Sequence, residues 1–420
     1  FPSGMYHVYT AIQINPPTGL WWDGSGFNST DKVWLIDTSN SWPGWILSGT
    51  STPTWVTNTK YRVEAIAYDI ARNTSTIYSV EFVYDTQIPT ITVISPQAGI
   101  THYSSITWIN GQASDTNNLG KLDRVELRVK NLSNSLYWSW ATNNYTGDDT
   151  SWFVASTTDN YASWYTTGTP PGSPGGITFT NGVQYELNFR VYDKAGNFTT
   201  TYTTRTFAFD VGRPTGAITG IGGNNISQYH SVINPISGTG YDTPNTNKAG
   251  LDTIGNGGAQ IRILDLTANR WWNYTSNAFD IVDDNTAWFN ANSGTSESWS
   301  YNNAELENKV VSGRKYLIQY RGKDKSTPAN TGPSSDGNDN NFTLGRDSIT
   351  ITYDRLPPVS AITFPVNGST INAVGYIQGT ATDSISGITS AAQIYVSICE
   401  VEPAGMCWNG LVPGTFTVAS

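Results

Sequence analysis

Cysteine, methionine and histidine are nearly absent: two, two and three among 420 residues. Charged side chains are sparse as well, at 13%. These absences exclude most chemistry. No His-Glu-x-x-His, Cys-x-x-Cys, Gly-x-Gly-x-x-Gly or phosphate-loop pattern occurs, so the sequence signatures of metallohydrolases, redox centres and nucleotide sites are missing. His7, His102 and His230 fall in or beside expected strands, with no nucleophile motif around them. Carboxylate pairs far apart in sequence stay open for glycoside hydrolysis. Such a site would interrupt one copy of the repeat described below, and no copy is elaborated in that way, so no enzyme is expected. Lys and Arg total 23 against 33 Asp and Glu, a net charge of −10, which leaves no basic stripe for nucleic acid. No apolar run approaches the ~20 residues of a membrane span. The first residue is Phe1, so the lack of a visible signal peptide carries no weight.

What the chain does have is aromatics, at 13%, and 40 glycines amid abundant Ser, Thr and Asn. That is the profile of β-sandwiches with polar outer faces, and no sustained 3.6-residue pattern competes with it. The stretch 185–197 shows the rule. Tyr185, Leu187, Phe189 and Val191 alternate with polar residues, the period of a strand with one buried face. Asp-Lys-Ala-Gly-Asn at 193–197 then supplies turn chemistry. A second strand-like run ends at Asp210, and Pro214 marks an exit from the sheet.

The stretch recurs. Tyr61 precedes Asp69, Tyr185 precedes Asp193 and Tyr316 precedes Asp324 by the same eight residues. The linker aspartates Asp85, Asp210 and Asp354 are each followed by proline, at spacings of 125 and 144 residues. Self-similarity of this kind is the mark of tandem modules. We read a partial domain at 1–84 lacking its opening strands, full copies at 85–209 and 210–353, and a partial copy at 354–420 lacking its closing strands. Each full copy yields about seven strands, which points to an all-β chain of tandem immunoglobulin-like sandwiches, strung as beads or a rod. The Tyr that opens the penultimate strand fits that fold's tyrosine corner. Stretches 167–176 and 326–341 read as inserted loops.

The order of motifs is I-x-G-x-A-x-D, V-x-I, L-Y-W or L-W-W with a downstream W-F or W-L, Y-x-L/V, D-x-A-G-N and D-x-x-x-P. It resembles the bacterial Ig-like repeats of very large secreted and cell-surface proteins, over essentially the whole chain. The resemblance implies an extracellular spacer, stalk or filament-building role without catalysis, and self-association into a filament or surface array. The alternative is an adhesin segment that holds glycan or a host protein. Residues 316–330 depart from the pattern, with Asp-Lys-Ser-Thr-Pro-Ala-Asn in place of D-x-A-G-N, so a reshaped hairpin tip is expected there.

Three sets of residues invite a site. Trp21 and Trp22, Tyr137 and Trp138, Trp271 and Trp272, and Trp408 occupy one repeat position. They stack on sugar rings if exposed, and pack a sheet face or module seam, along with Trp34, Trp152 and Trp288, if architectural. Recurrence in every copy favours architecture. Asp85, Asp115, Asp210, Asp242, Asp354 and Asp383 recur at loops and linkers, as do Asp69, Asp193 and Asp324. They either cap backbone N–H groups or converge to hold structural calcium; no other cofactor is expected. Cys399 and Cys407 flank turn residues and read as a disulfide across a hairpin, with two free buried thiols as the alternative; Cys407 stands at the position of Trp21 and Trp271.

The two partial copies at the ends carry an expectation that the native polypeptide continues past both, because half a sandwich leaves an apolar face and unpaired edges in water. Strand donation from one molecule to the next fits less well, since both ends carry the aromatic hairpin. Intact mass of the denatured native protein reads this: well above 45.8 kDa for a longer chain, and near that value for strand donation.

Overall fold

The computed structural model describes residues 4–115, 121–166, 176–332, 342–388, 394–401, 406–408 and 416–419. The expected loops at 167–175 and 333–341 lie outside these residues. Among them the chain is all-β, with one short helix, and it divides into two compact units. The first comprises Phe1–Gly212 with Thr243–Ala249 and Ser326–Ala329; the second holds the remaining residues.

In the first unit, alternation becomes strands as expected. β1 (Met5–Ile14), β2 (Trp21–Trp22), β3 (Phe27–Ser29), β4 (Leu35–Ile36), β5 (Thr59–Asp69) and β6 (Tyr78–Tyr84) form one sheet in the order β3-β2-β1-β5-β6, with β4 added to β1. A sandwich follows. Its small sheet has β7 (Thr90–Ser95) and β14 (Ser163–Tyr165) on either side of β9 (Asn110–Ser114). Its large sheet runs β8 (His102–Tyr103), β16 (Thr203–Phe209), β15 (Val183–Asp193), β10 (Leu122–Asn131), β11 (Tyr137–Ser139) and β12 (Asn144–Gly147), with β13 (Phe153–Val154) on β10. β8 joins β16 in parallel while its chain neighbours belong to the other sheet. Val125, Leu127 and Val129 face Val93, Ile109 and Trp164 in one core.

The second unit repeats the plan. β17 (Thr215–Ile221), β19 (Ile236–Tyr241) and β24 (Ser298–Tyr301) make the small sheet. The large one runs β18 (Tyr229–His230), β26 (Ser348–Tyr353), β25 (Lys315–Lys323), β20 (Gln260–Asp265), β21 (Arg270–Asn273) and β22 (Ala278–Ile281), with β23 (Phe289–Asn290) on β20. The helix α1 (Ala304–Lys309) is capped by Asn303 and buries Leu306 in the core. In the tail, β27 (Val359–Phe364) pairs with β28 (Gln378–Thr382), and β29 (Met406–Trp408) with β30 (Phe416–Ala419). The stretch 394–398, expected as a strand, is not assigned to one. The partner that β10 and β20 find in β15 and β25 has no counterpart among the tail's described residues.

The repeated glycine of I-x-G-x-A-x-D has a steric reason. A Cβ at Gly111 would stand on the Trp164 indole and the Thr92 carbonyl; at Gly238 it would meet the Trp299 indole and the Ala217 carbonyl. A large ring thus lies flat on bare backbone at the centre of each small sheet. Trp164 and Trp299 were not singled out from the sequence, because neither belongs to the aromatic pairs.

The tyrosine corner closes each large sheet. Tyr61 Oη accepts from Val56 N at 2.9 Å, Tyr185 Oη from Thr180 N at 2.8 Å, and Tyr316 Oη from Val311 N at 2.8 Å. All three rings are fully buried. Burial pushes the Tyr316 hydroxyl up to about 12, so it stays neutral as an acceptor. Tyr185→Phe keeps the ring and strands the Thr180 N–H. Chemical denaturation of this variant is expected to show a loss of about 1–3 kcal/mol; a loss within error would mean that water replaces the hydroxyl.

Candidate functional site

The aromatic pairs are split by the backbone. A register shift falls between Trp21 and Trp22, between Tyr137 and Trp138, between Trp271 and Trp272, and between Cys407 and Trp408. A bulge bends the strand and re-aims its side chains. In the two full sandwiches the second residue goes inward: Trp138 is 1% exposed and Trp272 0%. Its ring meets an aromatic neighbour, which in turn meets the corner tyrosine. The series is Trp22–Phe27–Tyr61, Trp138–Tyr145–Tyr185 and Trp272–Phe279–Tyr316, with centroid separations of 5.2–5.8 Å.

The first residue of each pair joins an outer layer built around a cation. Arg128 lies 4.8 Å from the Tyr137 ring centre and 4.5 Å from that of Trp152. Arg262 lies 4.5 Å from both Trp271 and Trp288. In the first sheet, Lys32 takes this place, 5.0 Å from Trp21 and 5.4 Å from Trp34. Each cation also has an acceptor on the neighbouring long strand: Asn188 for Arg128, Gln319 for Arg262 and Glu64 for Lys32. The outer rings are therefore engaged, and a sugar would have to displace a cation to stack on them.

In the tail, Cys407 stands where the other copies have Trp21, Tyr137 and Trp271. It bridges to Cys399, with sulfurs 2.05 Å apart. Cys399 takes the place of Gln13, Lys130 and Leu264, the residues paired with those aromatics. Trp408 is 41% exposed.

One carboxylate oxygen from each of Asp85, Asp115 and Asp193 lies within 4.8 Å of the other two. Asp85 follows β6, Asp115 follows β9 and Asp193 closes β15. Asp193 accepts from the backbone N and the Nδ2 of Asn197, both at 2.8 Å, and the same Nδ2 donates to the Asp85 carbonyl at 3.1 Å. This clamp is the physical content of D-x-A-G-N. It recurs as Asp69 with Asn73 and as Asp324 with Asn330. The hairpin tip at 324–330, expected to be reshaped, holds its extra residues within the clamp and leaves it intact.

The remaining acidic candidates accept from backbone N–H groups. Asp210 takes Gly212 N and Ala249 N, and Asp242 takes Gly250 N. Asp383 takes Ile385, Ser386 and Gly387, which hold its carboxyl below the usual carboxylate range, and Asp354 shares Ser386 N with it. The sequence marked Asp193 as one of the recurrent aspartates, without showing that it joins Asp85 and Asp115. Only the folding of the Asp193 hairpin brings it to them.

A double-mutant cycle on Trp271→Ala and Arg262→Met tests the outer layer. Urea denaturation is expected to give a coupling of about 1–2 kcal/mol, and Trp272→Ala alone a loss of about 3–5 kcal/mol. Additive losses at Trp271 and Arg262 would reduce their contact to simple proximity.

Residues 108–211 match the family model described as a bacterial Ig-like domain. No curated protein sequence matches the chain. Among solved structures, one concerns host cell surface retention of a 1.5-MDa bacterial ice-binding adhesin. It is 11% identical over 83% of this chain and 86% of that one, with a TM-score of 0.31. A tetra-tandem repeat from the extending region of a large adhesion protein aligns at 14% identity over 90% and 73%, with a TM-score of 0.26. Fibronectin(III)-like modules of Clostridium thermocellum CbhA align at 14% over 63% and 94%, with a TM-score of 0.24. Residues 108–211 thus resemble a bacterial Ig-like domain, and the motifs they share with 210–353 carry the resemblance into the neighbouring copy.

Proposed function

We propose that this chain is a structural segment of an extracellular bacterial surface or filament-forming protein, in which each Ig-like sandwich is a spacer without catalytic activity. The observation that carries this reading is the use made of the aromatic pairs. One member is buried against the corner tyrosine, and the other lies against a cation or is replaced by a disulfide. The motif most suggestive of a ligand platform is thus spent on internal cohesion. A disulfide suits an oxidising compartment outside the cytosol. Self-association into a filament or array is the form such a spacer takes in this reading, through open sheet edges.

A second reading, an adhesin, is favoured by Trp42, Trp45, Trp108 and Tyr78, which stay exposed. A glycan array probed with the labelled chain separates the two. A spacer is expected to bind no glycan above background. Saturable binding that disappears in Trp45→Ala or Trp108→Ala, with melting unchanged, would replace the spacer by the adhesin.

A further inference from the structure

We infer that the open edge of β28 at Gly379 is a seat for the hairpin around Trp45 of a second molecule of this chain, so that molecules join head to tail. The inference deepens the self-association of the spacer reading and rests on it. It starts from a glycine and a ring that each stand alone. Gly379 belongs to the third I-x-G-x-A-x-D motif. Its counterparts Gly111 and Gly238 are buried, with the indoles of Trp164 and Trp299 laid on them. Gly379 is exposed, and the atoms nearest to a Cβ built there are backbone atoms of Ala361 and Ile362, with no ring among them. Ile362, paired with Gly379, is 65% exposed, whereas Val93 and Ile218 hold the same place at 5% and 3%.

The ring without a glycine is Trp45. It follows the end of β4 at nearly the spacing by which Trp164 follows β13 and Trp299 follows β23. One edge of its strand is already alike, since Trp45 pairs with Asn40 as Trp299 pairs with Gly294. On the other edge Trp164 meets Gly111 and Trp299 meets Gly238. Beside Gly44–Ile46 no strand takes that edge among the described residues, and Trp45 is 38% exposed. The hairpin 39–46 contains no charged residue, so pairing it with another strand desolvates no ion.

Strand addition draws affinity from backbone bonds and specificity from a side-chain pocket. The register of the full sandwiches, carried across, sets Gly379 opposite Trp45 and Gln378 opposite Ile46. The pocket is present as a cleft of about 470 Å³ lined by Ile362, Ile377, Gly379, Ile394 and Val396, and an indole laid on Gly379 enters it. The aromatic hairpins shared by head and tail count against exchanging a whole set of strands, but these elements are not shared. The hairpin 39–46 has no counterpart among the tail's described residues, and β27 and β28 have none in residues 4–84. The stretch 394–398 lines the same cleft and must yield as the hairpin arrives with its own sheet. Among the described residues that stretch joins no ladder, and its backbone is held only at Ile398, whose carbonyl accepts from Trp408 N at 2.8 Å. A head-on-tail contact is heterologous, so it continues from molecule to molecule as a filament.

The test mixes two preparations of the whole chain, one carrying Ile46→Cys and the other Gln378→Cys, under mild oxidation, and reads a non-reducing gel. Both side chains are exposed, and opposed strand positions stand close enough for a disulfide. A cross-link between the two chains is expected, and none when Val359→Cys, at the start of β27, replaces Gln378→Cys. Sedimentation of the wild type should show species that lengthen with concentration. Trp45→Ala and Gly379→Leu should each weaken this association about 10- to 100-fold. Melting should be unchanged in both, since each residue is exposed in the single molecule, and it tells a lost seat from a lost fold. Association without the cross-link overturns the seat and leaves the spacer's assembly to another edge. A chain that stays monomeric at every concentration gives Gly379 to an occupant other than a second molecule, and overturns seat and assembly together.

Discussion

Much of this fold depends on one local irregularity, the bulge that splits each aromatic pair. In a regular strand successive side chains also point to opposite faces, but the bulge bends the short strand so that both of its faces are used at once. The inward ring completes a line of aromatics ending on the corner tyrosine. The outward ring forms one wall of a slot for a cation. Aromatic contacts contribute about 0.5–1.5 kcal/mol each beyond their burial, and cation contacts about 0.5–2 kcal/mol. The pair thus ties the hairpin to the core on one side and to the long strands on the other.

The three cation slots are built from different residues, which shows that the geometry matters more than the identity. In the two full sandwiches the cation is an arginine on the central strand, Arg128 or Arg262, with an amide acceptor on the next strand. The first sheet has Ala11 at that strand position, and Lys32 enters from the loop instead. Its acceptor is charged rather than an amide, Glu64. A lysine is a compact point charge without the planar fork of arginine, so an ionised acceptor suits it. The tail dispenses with ring and cation together, and a covalent bridge joins the same two strand positions.

The strands, the tandem order, the tyrosine corner and the place of the cysteines were legible in the sequence because each rests on a short-range rule. Alternation marks a buried face, and a fixed offset from Tyr to Asp marks one repeated hairpin. The slot cations were not legible, since Lys32 and Arg128 sit at unrelated positions in sequence and meet their rings only through strand pairing. Trp164 and Trp299 escaped for the same reason: the glycine each covers lies on another strand. The strand expected at 394–398 was misjudged because alternation reports a preference, whereas a ladder requires a neighbour. The acidic positions were readable as recurrent turn residues, but not as a cluster. Asp85, Asp115 and Asp193 lie on three separate connections.

That separation explains what the carboxylates can do that the aromatic layers cannot. The rings hold strands to strands inside one sandwich, in an apolar interior whose strength changes little with solvent composition. The carboxylates hold connection to connection, through a turn amide such as Asn197, which reaches both Asp193 and the Asp85 carbonyl. Asp193 supplies the acceptor for Asn197, while Asp85 accepts from Gln87 N and Thr57 Oγ1. Cohesion between strands and the tying of connections are therefore carried by different residues.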